Sequence, residues 1–431
     1  MVRRPSGPRQ ARGGGLSLDQ RGVALILVTS VIAILTAVTV DFVYRERVNM
    51  RMAASARDEL RAYYLARSSF TLSRFLLFFQ AQIDKSISAQ VSQLTTAMAG
   101  FGAAPPAGVN PASNLNLRLW EFIPMDCGVI QSFLSAPAGS APLAEDMLSP
   151  EGLPLASFGV FEGGCHAEIE DEDRKINLNH LVGLQRQTQN ALLQLMALTQ
   201  ERRYDFLFEE EDRWGVRLTR AETLGALRDY IDENQVQDTL VMGEKGPELL
   251  PSAADEGYYY TRFKPEYEPK NAPFDSLDEL FLVAGVGDYF MEAFGDALTV
   301  YTGKNARLNA TPQNLLDLCM RVILAAENPV EASAVCSNQS TMEAMWGELQ
   351  LLRISMPWTG IQPGMLRGVM ENQGVQVNRH IWEGPSALFG TSSTTFTINA
   401  IGQAGEVQKG ITAVVRMEGP GLGQLLYWKE N

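Results

Sequence analysis

An uninterrupted apolar segment near the amino terminus constrains this chain more than any other feature. Residues 23–40 contain no charged residue, no glycine and no proline. At a rise of about 1.5 Å per residue, a helix of this length spans about 27 Å, close to the ~30 Å hydrocarbon core of a bilayer. Its hydroxyl side chains can bond back to helix carbonyls. The segment is therefore predicted to be a single membrane-spanning helix.

Charge divides unequally around this segment. The first 22 residues hold five arginines and one aspartate, a net charge of +4, whereas the whole 431-residue chain carries −14. The rest of the chain therefore carries −18. Because basic residues are retained on the cytoplasmic side of a membrane helix, we predict a cytoplasmic amino terminus and an exported body. The acidic body also argues against nucleic acid as a partner.

Three interpretations of the apolar segment are open. A secretory signal peptide has about 7–15 apolar residues and a small-residue cleavage site, but this run is longer and is followed by Asp-Phe-Val-Tyr-Arg. A plain signal anchor agrees with the length. A prepilin-like leader, cut on the cytoplasmic side, needs a glycine directly before the apolar run, and Gly22 stands directly before Val23.

The residues after the span favour the prepilin-like leader. Residues 45–70 contain neither glycine nor proline. Apolar residues recur there at helical spacing, and they are Val48, Met52, Leu60, Tyr64 and Leu65. We predict that the membrane helix continues as an amphipathic helix, so that residues 23–95 form one spine. A hydrophobic first half and an amphipathic second half are typical of pilins.

These features resemble the minor pseudopilin K of type II secretion systems (general secretion pathway protein K). The resemblance begins with Gly22 and the Val-Ala-Leu-Ile-Leu-Val-Thr-Ser-Val that follows it, and it includes Tyr-Tyr-Leu-Ala-Arg at 63–67. Further segments similar to the family's signatures follow in the family's order, at 170–181, 227–232, 255–260, 270–280 and 308–316. Together they extend the resemblance over nearly the whole chain.

Position 27 departs from most pilins and agrees with the K family. Most pilins and pseudopilins carry a glutamate five residues into the mature chain, and here that residue is Leu27. A carboxylate is costly in hydrocarbon unless it is paired, and in pilins it is thought to pair with a neighbour's terminal ammonium. A subunit at the filament tip has no neighbour above it whose terminal ammonium needs to be neutralised. Leu27 fits such a subunit, and it equally fits an ordinary membrane residue.

The resemblance implies an α+β fold, with a pilin-like long N-terminal α-helix packed on a small antiparallel sheet and a large all-α domain inserted. The expected divisions are a leader at 1–22, the spine at 23–95, β regions at 96–176 and 376–431, and the inserted α-helical domain at 177–375. Alternating residues predict strands at 115–123, 165–169, 395–401, 410–416 and 424–428. Helical patterns occupy 181–200, 219–234, 275–283, 287–298, 311–325 and 331–352.

Acidic residues cluster within the predicted helical domain. Calcium binds six to eight oxygen ligands from carboxylates, amides, carbonyls and water. The resemblance implies that calcium binds in this domain, and the positions matching the family's acidic signatures are Asp229, Asp232, Asn234, Asp255, Glu256 and Asn271. A solvated acidic surface loop would have the same composition.

Four cysteines, Cys127, Cys165, Cys319 and Cys336, follow the membrane segment, where an exported body permits disulfides. Four cysteines allow three pairings. Pairing Cys127 with Cys165 and Cys319 with Cys336 is the most local choice, and buried free thiols are the alternative. No C-x-x-C spacing indicates zinc.

The sequence favours an assembly protein over an enzyme. It has no G-x-S-x-G or H-E-x-x-H motif, and the helix-hairpin-helix pattern at 276–287 is flanked by acidic residues that oppose a polyanion.

The resemblance implies a pseudopilus tip subunit of the bacterial inner membrane, cut by prepilin peptidase between Gly22 and Val23 and N-methylated at Val23. Implied partners are the I- and J-type minor pseudopilins, the major pseudopilin, the inner-membrane assembly platform, and secretin or secreted cargo. A membrane-anchored periplasmic binding module and a DNA-uptake minor pilin are the rival interpretations.

Overall fold

The computed structural model describes residues 19–100, 118–128, 163–200, 204–209, 211, 215, 217–243, 246–303, 306–355, 360–382, 387–419 and 421–431. Among these residues, one helix is long and apolar enough to cross a membrane. This helix, α1, spans Asp19–Gly100 without interruption. Its most apolar window is not buried against any other described part of the chain. The first half of α1 is therefore free to contact lipid or another chain.

The second half of α1 packs on an antiparallel sheet of five strands. In spatial order these strands are β1 (Met125–Asp126), β2 (Gly164–Asp171), β9 (Thr395–Ala404), β10 (Val407–Arg416) and β11 (Gln424–Glu430). The chain therefore leaves this sheet after β2 and returns to it at β9. This arrangement gives one sheet face to α1 and leaves the segment between β2 and β9 as an insertion.

Apolar side chains fill the space between α1 and the sheet. From the helix come Ala66, Phe70 and Leu77, and Ile398 lies beneath them in β9. The Phe70 ring meets the Trp428 indole edge to face, with 5.0 Å between ring centroids. A fully buried aromatic or aliphatic side chain contributes about 1.5–3 kcal/mol. This core anchors the second half of the spine to the body.

Gly402 permits the close approach of α1 to β9. A Cβ at this position would lie 2.0 Å from the Ala62 carbonyl oxygen and 2.5 Å from the Ala66 nitrogen, both backbone atoms of α1. The helix and the strand can therefore pack at this distance only where the strand residue lacks a side chain.

We expect Gly402→Ala to lower the free energy of unfolding by about 1–3 kcal/mol or more, since the helix must be displaced. Gly164→Ala is the matched control, because an added Cβ on this neighbouring strand meets nothing within 4 Å. Thermal unfolding of the detergent-solubilised chain, followed by circular dichroism, would measure both variants. Equal melting temperatures for the two variants would contradict the close-packing interpretation.

The inserted segment is mostly helical and has its own core. A short helix, α2 (Leu119–Phe122), precedes the insertion. The α-helices described within the insertion are α3 (Gln185–Thr199), α4 (Phe206–Glu209), α5 (Arg220–Asp229), α6 (Asp288–Phe294), α7 (Leu315–Ala325), α8 (Pro329–Ser337), α9 (Gln339–Ser355) and α10 (Pro363–Asn372). Short 3-10 helices lie at Glu172–Arg174, Leu178–Leu181, Glu256–Arg262, Leu277–Leu282, Gly295–Ala297 and Arg379–Ile381. Leu195 of α3, Leu318 of α7 and Met345 of α9 are fully buried together in this core.

Strands also occur within the insertion. A hairpin is formed by β4 (Val236–Gly243) and β5 (Gly246–Asp255). Two-residue parallel pairs join β3 (Ile176–Asn177) to β6 (Leu298–Thr299) and β7 (Leu308–Asn309) to β8 (Phe389–Gly390). The second of these pairs places residues near 389 with the insertion, beyond the expected end at 375.

The predicted α+β class is confirmed, with a long N-terminal helix on a small antiparallel sheet. The expectation that the insertion is purely helical needs correction, because it contains the β4–β5 hairpin. The strand predicted at 115–123 is also wrong within the described residues, where Leu119–Phe122 is a helical turn. The helix predicted at 331–352 is two helices, since Ser337 ends α8 and α9 begins at Gln339.

Candidate metal centre

Three buried aspartates converge where α5 ends and the β4 strand begins. Asp229 is the last residue of α5, Asp232 follows in the turn, and Asp238 lies in β4. One carboxylate oxygen from each lies within 4.8 Å of the others. All three side chains are almost completely buried. Because carboxylates repel each other in a low dielectric, such a cluster calls for a cation.

Local sequence signals determine how α5 and β4 meet. Thr219 and Glu222 form a capping box that begins α5. Gly225 lets the strand approach the helix, because a Cβ there would lie 2.6 Å from the Asp238 carbonyl oxygen. The Asp238 amide donates a 2.9 Å hydrogen bond to Asp229 Oδ1, which fixes the two residues side by side.

Glu256 and Asn271 lie beside the cluster, where the charges of Asp232 and Asp238 act on Glu256. Glu256 is 2% exposed, and neither of its carboxylate oxygens has a hydrogen-bond partner. Asp232 Oδ1 and Asn271 Oδ1 are also buried without one. Asn271 has a positive φ of 50°, and its backbone N–H donates a hydrogen bond to the Tyr230 carbonyl. Unpartnered buried oxygens are costly, and a cation beside them would offset that cost.

The electrostatics of the cluster agree with this interpretation. Burial, followed by the charges of the neighbouring carboxylates, raises the pKa of Asp229 to about 8, although the Asp238 amide opposes the rise. Burial and the Asp232 charge raise the pKa of Glu256 to about 7. The Asn271 side chain partly offsets the rise in the pKa of Glu256, although Asn271 and Glu256 do not reach normal hydrogen-bond geometry.

One cation of the protein itself lies at the cluster. Arg228 Nη1 is 3.2 Å from Asp238 Oδ2, and Arg228 also donates to the Leu249 carbonyl. Four ionised carboxylates and this guanidinium would still leave a net charge of −3. The helix dipole adds negative potential at the C-terminal end of α5. The cluster therefore retains capacity for a divalent cation.

The donor set fits calcium. All the candidate ligands are oxygens, and calcium prefers carboxylate and amide oxygens, whereas zinc prefers nitrogen and sulfur. Asp229, Asp232, Asp238, Glu256 and Asn271 would hold the ion. Bound calcium would supply charge neutralisation and link α5, β4 and the segment after β5.

The structure brings together four of the six residues predicted from the sequence. Asn234 does not turn its oxygen to the cluster, because Asn234 Oδ1 accepts the Val236 amide, while its amide donates to Asp232 Oδ2. Asp255 is exposed and caps the following turn by accepting the Gly257 amide. Sequence reasoning missed Asp238. An acidic residue two positions before Leu240, on the inward face of a strand, was the available signal.

A second buried polar network joins the sheet to the insertion. At the end of β2, Asp171 Oδ2 accepts 2.6 Å hydrogen bonds from Asn309 Nδ2 and Ser393 Oγ. Asp173 Oδ2 accepts the Thr394 amide at 2.6 Å. Beside them, Glu172 Oε1 accepts from Lys175 and Thr397. The sequence showed this acidic turn only as a family signature, and apart from Lys175 the partners named here lie more than 100 residues away.

Arg321 supports this network from α7. Its side chain is completely buried. It donates to the carbonyls of Asn309 at 2.9 Å and of Asp317 at 2.8 Å. Burial lowers the pKa of Arg321, and the Asp317 charge opposes this effect. The guanidinium thus holds the β7 strand against the helix that follows it. A pocket lined in part by Asp173, Lys175, Asn177 and His180 borders this network.

The cysteines are paired as the most local choice would place them. Cys127 bonds to Cys165 beside the sheet, with 5.0 Å between Cα atoms. Cys319 of α7 bonds to Cys336 of α8, with 5.4 Å between Cα atoms. The two disulfides therefore lie in the sheet and in the insertion, respectively.

The residues assigned to leader processing lie at the start of α1. Gly22 is helical and exposed there, and a Cβ added to it would meet no described atom within 4 Å, while Val23 and Leu27 are 63% and 61% exposed. Of the predicted leader, residues 1–18 lie outside the described residues.

Comparison with known proteins gives similarity to solved structures. No protein-family model matches the chain, and no curated protein matches it. Among solved structures, the chain is similar to one from the GspK–GspI–GspJ complex of the enterotoxigenic Escherichia coli type 2 secretion system. The match covers 64% of this chain and 82% of that chain, at 14% sequence identity and a TM-score of 0.40.

Proposed function

We propose that this chain is a minor pseudopilin of the K type, acting at the tip of a type II secretion pseudopilus. The observation that carries the proposal is the continuity of α1. One helix begins as an exposed apolar membrane span and ends packed on an antiparallel sheet. This construction suits a subunit that is drawn from a membrane into a helical bundle while its folded body stays outside.

Two features support a position at the tip. Leu27 removes the carboxylate that would neutralise a neighbouring subunit's terminal ammonium. The insertion between β2 and β9 adds a second folded body beside the sheet. A bulky body of this kind suits the end of a close-packed filament better than its interior. In this role the protein nucleates assembly and catalyses no reaction.

An exposed apolar stripe on α1 suits partner helices. Leu60, Tyr64 and Phe75 are 58%, 55% and 41% exposed. They lie within about 60° of one another around the helix, and Ser69, buried on the sheet side, lies about 120–180° from each of them. We assign this stripe to the I- and J-type minor pseudopilins, with the membrane span continuing the same contact below.

The calcium role is part of the same proposal. The insertion carries the metal centre on α5 and β4, and the hairpin that supplies Asp238 packs on α5 through β4 and on α3 through β5. Calcium would fix the hairpin to α5 and so keep the shape of the tip. Exported proteins encounter calcium at concentrations that suit sites of moderate affinity.

Leader processing provides the experiment that tests the function. Intact mass spectrometry of membrane-purified protein should find a mature chain beginning at methylated Val23. Gly22→Asp should leave the leader attached, because a charged and larger side chain would stand directly before the cut. Gly22→Ala is the matched control, because it preserves small size without adding charge. A wild-type chain that retains its leader would instead indicate a plain membrane-anchored binding module.

A further inference from the structure

Two arginines follow the membrane span on a face that no partner helix is expected to cover. Arg47 and Arg51 are exposed, and no acidic side chain among the described residues forms an ion pair with either. They are one turn apart, so they share one side of α1. By contrast, Asp41 is already paired with Arg45, at 2.9 Å.

Helical geometry places these arginines beneath the folded body. Arg47 and Arg51 precede Leu65 and Ser69, which are buried on the sheet side, by 18 residues each. Eighteen residues make five turns, so the arginines continue the sheet-facing side of the helix toward the membrane. The stripe containing Leu60 lies about 180° away from Arg51. A partner helix docked on that stripe would leave the arginines uncovered.

The positions of Arg47 and Arg51 along the helix axis bring their side chains to the level of the lipid headgroups. Exposed Phe42, Val43 and Tyr44 extend the apolar span, and tyrosine is typical of the membrane interface. Arg47 and Arg51 lie about 5 Å and about 10 Å beyond Tyr44 along the axis. Headgroups occupy about 5–8 Å of each leaflet. Helical side chains also tilt toward the N-terminus, which here is toward the membrane.

We propose that Arg47 and Arg51 bind the phosphates of anionic phospholipid headgroups on the exported side of the membrane. The contact would hold the helix at a defined depth, with the body above the bilayer, until the subunit is drawn into its assembly. The inference rests on the proposed function only in requiring the span to be inserted.

Lipid retention tests this inference on the full chain. The protein would be reconstituted in vesicles of phosphatidylglycerol and phosphatidylcholine, extracted in mild detergent, and its retained lipids counted by mass spectrometry. We expect the wild type to enrich phosphatidylglycerol, and Arg47→Gln and Arg51→Gln each to reduce the enrichment about fivefold. Lysine at both positions should preserve it. The matched control is Arg67→Gln, which changes an exposed arginine about 24 Å farther along the helix than Arg51.

Each outcome bears on a separate claim. A double variant that carries both Arg47→Gln and Arg51→Gln would be measured in the same way. If it enriched phosphatidylglycerol as much as the wild type, the lipid assignment would be overturned. If that variant instead lost only co-purification with a partner pseudopilin, the arginines would serve a protein contact and the lipid assignment would also fail. An unprocessed leader with intact enrichment would defeat the proposed function and leave the lipid assignment standing.

Discussion

Replacing Arg321 with methionine is expected to lower the free energy of unfolding by about 3–5 kcal/mol, a large part of the stability of a domain. Methionine keeps much of the aliphatic volume but removes the buried guanidinium. The carbonyls of Asn309 and Asp317 would lose their donor, and the Asp317 carboxylate would lose a neighbouring charge at 3.9 Å. Removing one partner from a buried charged network leaves the others without compensation.

Arg353→Met is the matched control for this variant. Arg353 lies in α9, its side chain is 29% exposed, and its ion pair with Glu121 is 3.8 Å long. Partly exposed pairs contribute about 1 kcal/mol or less. Urea unfolding of the detergent-solubilised chains would give both values. If the two variants unfolded at the same midpoint, the buried junction would not be a principal source of stability.

Calcium is expected to stabilise the insertion, and a chelator should remove that stabilisation. At a free calcium concentration 100 times the dissociation constant, a single site adds about 2.7 kcal/mol. For a body of this size, that corresponds to a rise in melting temperature of about 5–10 °C. Magnesium at equal ionic strength should have a smaller effect, because it retains its water ligands more strongly. An unchanged melting curve would contradict the metal assignment.

Glu256→Gln separates the metal role from a structural role. In chelator we expect this variant to be as stable as the wild type or more so, since it removes a buried carboxylate without a hydrogen-bond partner. In calcium it should lose most of the metal-dependent gain. Asp255→Asn is the control, because Asp255 is exposed and asparagine can still accept the Gly257 amide. It should keep the calcium response of the wild type.

The pH dependence of the calcium effect has a defined sign. The folded pKa values of Asp229 and Glu256, about 8 and about 7, lie above those of an unfolded chain, near 4. Without calcium, the folded state therefore binds more protons between pH 4 and 8, and its stability falls as pH rises through this interval. Calcium needs the charged carboxylates, so its stabilising effect should grow over the same interval. Melting curves at pH 5 and pH 8, with and without calcium, would measure this difference.

Much of the fold was predictable because it depends on local pattern. The apolar run and the absence of helix breakers predicted α1, and alternation predicted the strands near the carboxyl end of the chain. The β4–β5 hairpin was not predicted, because its Gly, Pro and acidic residues resemble a loop. Its partner α5 is needed to bury Asp238 and Leu240 on one face. The 115–123 segment alternates like a strand, yet Leu119–Phe122 turns helically beside α1.

The candidate site shows the same limit. Asp229 and Asp232 were identifiable, because they lie at the end of one helix and match a family signature. Asp238 was not, since its role depends on a strand whose face could not be assigned. Asn234 and Asp255 are oxygen-bearing neighbours, but their backbone hydrogen bonds turn them away. Composition therefore locates a region, whereas tertiary packing selects its ligands.

The buried junction at the end of β2 has a consequence for the order of folding. Asp171 and Phe396 are register partners in adjacent strands, although the whole insertion separates them along the chain. Closing so long a loop before any of it is structured is entropically costly and slow. If the insertion collapses first on its own core, it delivers Asp171 and Thr394 to the same place, and β2 and β9 can then pair as though a short turn joined them. The inserted body would thus act as a built-in template for the sheet that carries it.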